Sequence, residues 1–179
     1  MEIKKIHQIL VNGGVIAYPT ESVFGLGCDP SNEKAIKKIL DIKKRTLEMG
    51  LVLLTPTIEI VSGWVNMNNK QLKLFSKPSP RPTTYIVPAS NAAPQWLAVK
   101  NTLAIRLSDD PFIKNICGMM GLPIVSTSAN LHGETPCKSA DEVEKIMGSQ
   151  LDHIVFKPTG PFNNPSTIID LSSGKTIRP

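Results

Sequence analysis

The sequence predicts an α/β domain with a mixed parallel and antiparallel sheet, on three observations. Segments with apolar residues at helical spacing alternate with short β-branched runs along most of the chain. The last strand-like runs, at 153–156, 166–171 and 175–177, follow one another with no helix between them, which implies antiparallel pairing beside the parallel pairs. The length, 179 residues, suits one domain with a sizeable core.

The elements follow in order. Ile3, Ile6, Ile9 and Leu10 recur at helical spacing until Asn12-Gly13-Gly14 stops the helix. Val15 to Tyr18 is a short strand ended by Pro19, and the next ten residues, with two glycines, read as a loop. Ser31 is expected to cap a helix whose apolar face is Ala35, Ile36, Ile39 and Leu40. Lys43 continues that phase one turn later, which places its ammonium over the edge of the sheet, and Arg45 follows on a less constrained backbone. Leu51–Leu54 is a strand, Asn69–Phe75 a helix, and Thr83–Val87 and Leu103–Leu107 are further strands. Asp110-Pro111 opens a helix that Gly121 ends. Leu122-Pro123-Ile124-Val125 reads as a buried strand running into a polar loop, Ser126-Thr127-Ser128-Ala129-Asn130. Ser139 caps a helix over Asp141–Met147, with Glu142 completing a capping box.

Composition narrows the function classes. No apolar run approaches the ~20 residues that span a bilayer, and no signal-peptide pattern opens the chain, so a cytoplasmic protein without a membrane partner is expected. The three cysteines, Cys28, Cys117 and Cys137, lack C-x-x-C spacing and do not cluster with the three histidines, which argues against a disulfide framework or a zinc site. Cys117, within an apolar helical pattern, is read as core. A net charge of +5 leans towards anionic partners without deciding between nucleotide and nucleic acid. Lys4-Lys5 and Lys37-Lys38 fall between apolar helical positions and read as solvated faces. Prolines crowd at 78–94 and 158–165 and mark irregular connections.

Candidate chemistry lies in a few segments. The hydroxyls and amide of Ser126 to Asn130 suit a polyoxygenated ligand whose charge is neutralised elsewhere, and the carboxyl ends of strands are where open sheets bind ligands. The plainer alternative is a Ser/Thr turn capping the next segment. There is no G-x-x-x-x-G-K-[ST], and Gly25-Leu26-Gly27 lacks the rest of a dinucleotide fingerprint, so a bound nucleotide would be held by side chains. Lys43, Arg45 and Arg178 are the available cations; Lys43 and Arg45 also suit a helix C-terminus on dipole grounds alone. Arg106 is in phase with Ala104 and opposite to Leu103, Ile105 and Leu107 on a mostly apolar strand. A charge there needs a partner, either an internal Asp or Glu or a carboxylate brought by a substrate. No Ser-His-Asp or Cys-His pattern stands out, and His132 has no carboxylate partner in sequence.

Together these segments resemble the YrdC family, in its short single-domain form, over nearly the whole chain. Tyr18-Pro19-Thr20-Glu21-Ser22-Val23-Phe24-Gly25-Leu26-Gly27 looks like that family's Y-P-T-E-[ST]-x-[YF]-G-L-G. Lys43-x-Arg45, Pro80-x-Pro82-x-Thr84, Ala104-Ile105-Arg106, Ser126 to Asn130, Ser166-Thr167-Ile168-Ile169-Asp170 and Ile177-Arg178 look like its later motifs, in order. The resemblance implies a single YrdC-like domain over 1–179, a twisted mixed sheet with flanking helices around a concave face, and no second domain of the long form. It implies condensation of L-threonine, bicarbonate and ATP into threonylcarbamoyl-adenylate with release of pyrophosphate, a nucleotidyl transfer assisted by Mg2+ and serving t6A modification of tRNA. RNA or tRNA contact and association with other t6A-pathway proteins go with it. By the same resemblance Thr20, Arg106, Ser126 and Ser166 bind threonine, while Lys43, Arg45, Thr84, Ser128, Asn130 and Arg178 bind ATP. Lys43 and Arg45 are then the catalytic cations. Three positions depart from the family: Thr46 stands where a proline is usual, Met49 stands where a cation or histidine is usual, and Arg81 replaces a glycine, either supplying the missing charge or obstructing the loop. A non-catalytic YrdC-like paralogue that binds nucleotide or RNA is the alternative.

Overall fold

The computed structural model describes residues 2–47, 50–162 and 165–179, and within them nine strands form one mixed sheet. The strands are β1 (Ile16–Pro19), β2 (Phe24–Gly27), β3 (Val52–Thr55), β4 (Thr83–Pro88), β5 (Thr102–Leu107), β6 (Ile124–Ser128), β7 (His153–Ile154), β8 (Thr167–Asp170) and β9 (Thr176–Arg178). Five helices flank them: α1 (Glu2–Val11), α2 (Glu33–Lys43), α3 (Asn69–Phe75), α4 (Pro111–Met120) and α5 (Ala140–Met147). The spatial order is β7-β1-β2-β6-β3-β5-β4-β8-β9. The pairs β1/β7, β3/β5 and β4/β8 are parallel and the others antiparallel, so the sheet is mixed throughout and not only at its late strands.

The two-residue period of a strand sorts side chains onto two cores. Val15 and Ala17 pack in one cluster with Ala35, Ile36 and Ile39 of α2 and Val143 and Met147 of α5. Ile16 and Tyr18 go to the other side, with Ile6 and Leu10 of α1 and Ile113, Ile116 and Cys117 of α4. Leu53 and Val125 join the first cluster while their neighbours Leu54 and Ile124 join the second.

Three expectations are corrected. The stretch after Pro19, read as a loop, contains β2, which is wholly buried and pairs with both β1 and β6. Its glycines hid the strand, yet Gly27 is required by packing: a Cβ there would sit 2.6 Å from Tyr18 Cε1 and 2.8 Å from the Val125 carbonyl oxygen. The cap of α2 is Asn32, whose side chain accepts from the Ala35 N–H; the N–H and Oγ of Ser31 instead both donate to Asp29 Oδ1 in the preceding turn. Before α5, Ser139 caps as expected, but Glu142 accepts from the N–H of Lys138, one residue earlier than a capping box requires. Such a box is present at α3, between Asn68 and Gln71.

Gly27→Ala is expected to cost about 1–3 kcal/mol by overpacking, read by urea unfolding. Gly118→Ala, inside α4 with nothing within 4 Å of the added Cβ, should be neutral or stabilise by about 0.5–1 kcal/mol. Equal responses at the two positions would contradict this packing account.

Candidate functional site

Strand register builds the floor of a cleft on the face of the sheet. Val52 pairs with Ser126 on one side and Ala104 on the other, and Ala104 pairs with Ile86, so these four side chains form one row across β6, β3, β5 and β4. Moving two residues along a strand stays on the same face, which brings Ser128, Arg106 and Thr84 into the same trough. Together with Thr20, Arg45, Ser166 and Arg178 they line a cleft of about 350 Å³. The cleft therefore runs along a sheet face, reaching the carboxyl ends of β5 and β6 at Arg106 and Ser128. Ser126, Thr127 and Ser128 belong to β6 itself, so the expected polar loop is a strand whose hydroxyls point out of the ladder.

All four residues expected to bind threonine line this cleft, as do Arg45, Thr84, Ser128 and Arg178 from the nucleotide set. Thr84 Oγ1 and Ser166 Oγ share a hydrogen bond of 2.8 Å, joining the parallel neighbours β4 and β8. Arg178 Nε and Nη2 donate to the Ser166 carbonyl at 3.0 and 2.7 Å, which fixes the terminal guanidinium beside those hydroxyls. Arg45 donates to Thr127 Oγ1 at 3.4 Å and to the Gly50 carbonyl. Burial lowers the pKa of both guanidinium groups, and at Arg178 the nearby Arg106 charge adds to it. Thr20 Oγ1 donates to the Val23 carbonyl at 2.7 Å and closes the turn between β1 and β2.

Arg106 is 7% exposed and finds an internal acid, the alternative the sequence left open: its Nη2 lies 3.2 Å from Glu21 Oε2. Glu21 Oε1 in turn accepts from Ser108 Oγ at 2.8 Å. Sequence reasoning did not identify this partner, because residues 21 and 106 are joined only by the sheet. The one available signal was the odd acid inside the first motif.

Lys43 and Asn130 do not line the cleft; they stand behind it. Lys43 is 2% exposed, and its ammonium donates to the Ser128 carbonyl, to the Asn130 carbonyl at 2.9 Å and to Asn130 Oδ1 at 3.0 Å. Asn130 Oδ1 also accepts from Ser128 Oγ at 2.6 Å, and its Nδ2 donates to the carbonyls of Leu131 and Glu134. That uses the full capacity of the amide. Burial, with the Arg45 charge adding to it, lowers the Lys43 pKa to about 8. Lys44 ends α2 in a left-handed conformation, φ 50°, which turns the chain so that Arg45 reaches the cleft. Arg81 is exposed and does not line the cleft, and Met49 lies outside the described residues.

The arrangement can bind and align anions. Its charged lining is three arginines, with no acid among the described lining residues. No group of three His, Cys, Asp or Glu that could hold a metal ion occurs among the described residues, and no helix among them is long and apolar enough to cross a membrane.

Comparison with known proteins gives a consistent picture. Residues 8–179 match the Sua5/YciO/YrdC family, described as "Telomere recombination". The chain is 42% identical to the threonylcarbamoyl-AMP synthase of Haemophilus influenzae, covering 99% of both chains, and 44% identical to that of Buchnera aphidicola, covering 95% of this chain and 99% of the other. Among solved structures it is similar to E. coli YciO, with TM-score 0.87, 25% identity, and 99% of this chain and 88% of the other covered. It superposes on P. abyssi Sua5 complexed with L-threonine with TM-score 0.86 at 24% identity, covering 96% of this chain and about half, 51%, of that one.

Lys43→Met should cost roughly 2–3 kcal/mol by leaving buried acceptors unsatisfied, in contrast to a ligand-facing lysine, whose loss would leave apo-protein melting unchanged. The pH dependence adds a sign. From about 8 to the ordinary 10.5 the unfolded chain still holds a proton that folded Lys43 has released. Wild type should therefore gain stability relative to Lys43→Met as pH rises through that window. Parallel stability curves for the two proteins would count against this environment.

Proposed function

Because the chain belongs to the Sua5/YciO/YrdC family, we propose that it is a threonylcarbamoyl-AMP synthase, condensing L-threonine, bicarbonate and ATP. The threonine nitrogen and bicarbonate give a carbamate and water. A carbamate oxygen then attacks the α-phosphorus, forming the P–O bond of threonylcarbamoyl-adenylate as the bond to pyrophosphate breaks. The observation that carries this reading is the meeting of Arg45, Arg106 and Arg178 with the uncharged hydroxyls of Thr20, Thr84, Ser126, Ser128 and Ser166 in one cleft. Such a set binds carboxylate and phosphate, and the reaction asks for alignment and charge stabilisation with no covalent enzyme intermediate.

Within this proposal Arg106 takes the threonine carboxylate through its planar fork, with Thr20, Ser126 and Ser166 around the amino acid. Arg45 and Arg178 offset charge on the phosphates and on departing pyrophosphate, beside Thr84 and Ser128. Lys43 and Asn130 serve the nucleotide as positioning residues: they hold Ser128 and the turn after it, so Lys43 is moved from touching phosphate to supporting the strand that does. The lining offers Mg2+ no carboxylate among the described residues, so magnesium comes as part of the ATP complex, on phosphate oxygens and water. On this reading the protein works in the cytoplasm with tRNA and the pathway's other proteins, which the net charge of +5 supports through its preference for anionic contacts. The non-catalytic alternative is disfavoured because RNA binding has no use for Arg106 within a ring of buried hydroxyls.

Pyrophosphate release from ATP should require both L-threonine and bicarbonate. Release that ignores threonine would exclude the synthase reading. Arg106→Ala should raise KM for threonine by roughly 10- to 100-fold, the worth of one charge-assisted contact, with KM for ATP much less affected. Arg106→Lys should recover part of the loss. A variant that loses ATP instead would put the wrong ligand on this arginine.

A further inference from the structure

Both expected ligands present anionic groups, and the cleft offers them three arginines, so something must keep the polyphosphate off the carboxylate's arginine. Arg106 and Arg178 are near enough for the first charge to depress the pKa of the second, after burial. Their immediate partners differ in charge. Arg178 is held by the uncharged carbonyl and hydroxyl of Ser166. Arg106 faces Glu21, with Nη2 3.2 Å from Oε2.

That carboxylate is built in. Its other oxygen accepts from Ser108 Oγ at 2.8 Å. Its backbone is clamped by the segment around Gly160: Gly160 N–H donates to the Thr20 carbonyl at 2.9 Å and Phe162 N–H to the Glu21 carbonyl at 3.0 Å. A Cβ on Gly160 would lie 2.8 Å from Glu21 Cα, so the two segments touch backbone to backbone. Glu21 Oε2 and Arg106 Nε are both buried without a hydrogen-bond partner, so the pair is closely apposed yet not saturated. An ion pair serving stability alone would be expected to complete its hydrogen bonds.

We propose that Glu21 is a specificity determinant that sorts the anionic groups of the two ligands: acting through Arg106 as a positioning residue, it reserves that arginine for a carboxylate and turns polyphosphate towards Arg178. A fixed negative charge beside Arg106 cancels most of its long-range field but leaves its directional donors. A carboxylate of single charge, whose own ammonium is attracted to Glu21, loses little. A pyrophosphate group of several charges is repelled in proportion to its charge. The assignment of Arg106 to the amino acid rests on the function proposed above.

The test uses calorimetry on the apo protein at fixed ionic strength, with inorganic pyrophosphate and L-threonine as probes, separately and together. In wild type the two should bind side by side, threonine affinity changing less than about threefold when pyrophosphate is present. Glu21→Gln should bind pyrophosphate roughly tenfold tighter, from the loss of one nearby charge, and pyrophosphate should now displace threonine. Glu21→Asp keeps the charge and should restore the wild-type pattern, which a purely structural role for the glutamate would not produce. The proposal is overturned if Glu21→Gln binds pyrophosphate no tighter than wild type, or if pyrophosphate already displaces threonine from wild type. The second measurement stands even if the Gln variant does not fold. A wild-type protein that binds no threonine would overturn the amino-acid reading of the cleft, while the pyrophosphate ratio between Glu21→Gln and wild type would still decide the sorting.

Discussion

The buried ammonium of Lys43 is the contact on which the rest of the site depends. It joins the end of α2 to the end of β6 by donating to Ser128 and Asn130, and the Lys43 carbonyl accepts from His132 N–H, so helix and strand are tied in both directions. A charge in this position costs free energy, visible in its lowered pKa. Three oxygen acceptors offset that cost. The gain is geometric: with β6 held, Ser128 keeps its place in the cleft, and the left-handed turn at Lys44 delivers Arg45 to Thr127 on the same strand.

The second constraint is the two-residue period of the sheet. Ser126, Ser128, Thr84 and Arg106 reach one trough because each lies an even number of residues from the row Ser126–Val52–Ala104–Ile86. A shift by one residue in any of these strands would turn its polar side chains into the opposite core and its leucines and isoleucines into the cleft. The packing of Leu53, Val125 and Ile105 on the opposite face therefore also fixes the register of the cleft-facing residues. Fold stability and site geometry are one requirement here.

Much of this was legible in the chain. α1 follows from apolar spacing and its stop at Asn12-Gly13-Gly14, α4 from Asp110-Pro111 and Gly121, and the opposite phase of Arg106 and its neighbours on β5 correctly marks it as facing away from the main core. What escaped did so for physical reasons. β2 has the composition of a loop because glycine is what its crowded place between β1 and β6 admits. Ser31 and Asn32 are both good caps, and only the backbone decides which one faces the helix. The hydroxyls of β6 look like a turn because strands seldom carry three in succession; here one face of the strand meets ligand space instead of apolar packing. The Glu21–Arg106 pair and the inward aim of Lys43 depend on contacts between residues more than eighty apart in the chain, which local pattern cannot show.

The apolar part of the cleft bears on how its charges act. Phe24, Val52, Ile86, Ala104 and Ile168 line it beside the arginines, so a ligand's anionic groups leave water as they meet the guanidinium groups. Attraction between opposite charges grows as the local dielectric falls, and so does the cost of any charge left without a partner. A floor that strengthens the contact of an arginine with an anion thus also raises the penalty for placing that anion in the wrong position. In a site built from cations and hydroxyls, that penalty is what separates one anion from another: the number of charges a ligand brings must match those the protein leaves uncompensated. Arg106, closed off by Glu21, and Arg178, held by uncharged oxygens, differ in that respect although they are the same residue in the same cleft. Discrimination then comes from where the protein places its own negative charge, and the hydroxyls can serve either ligand.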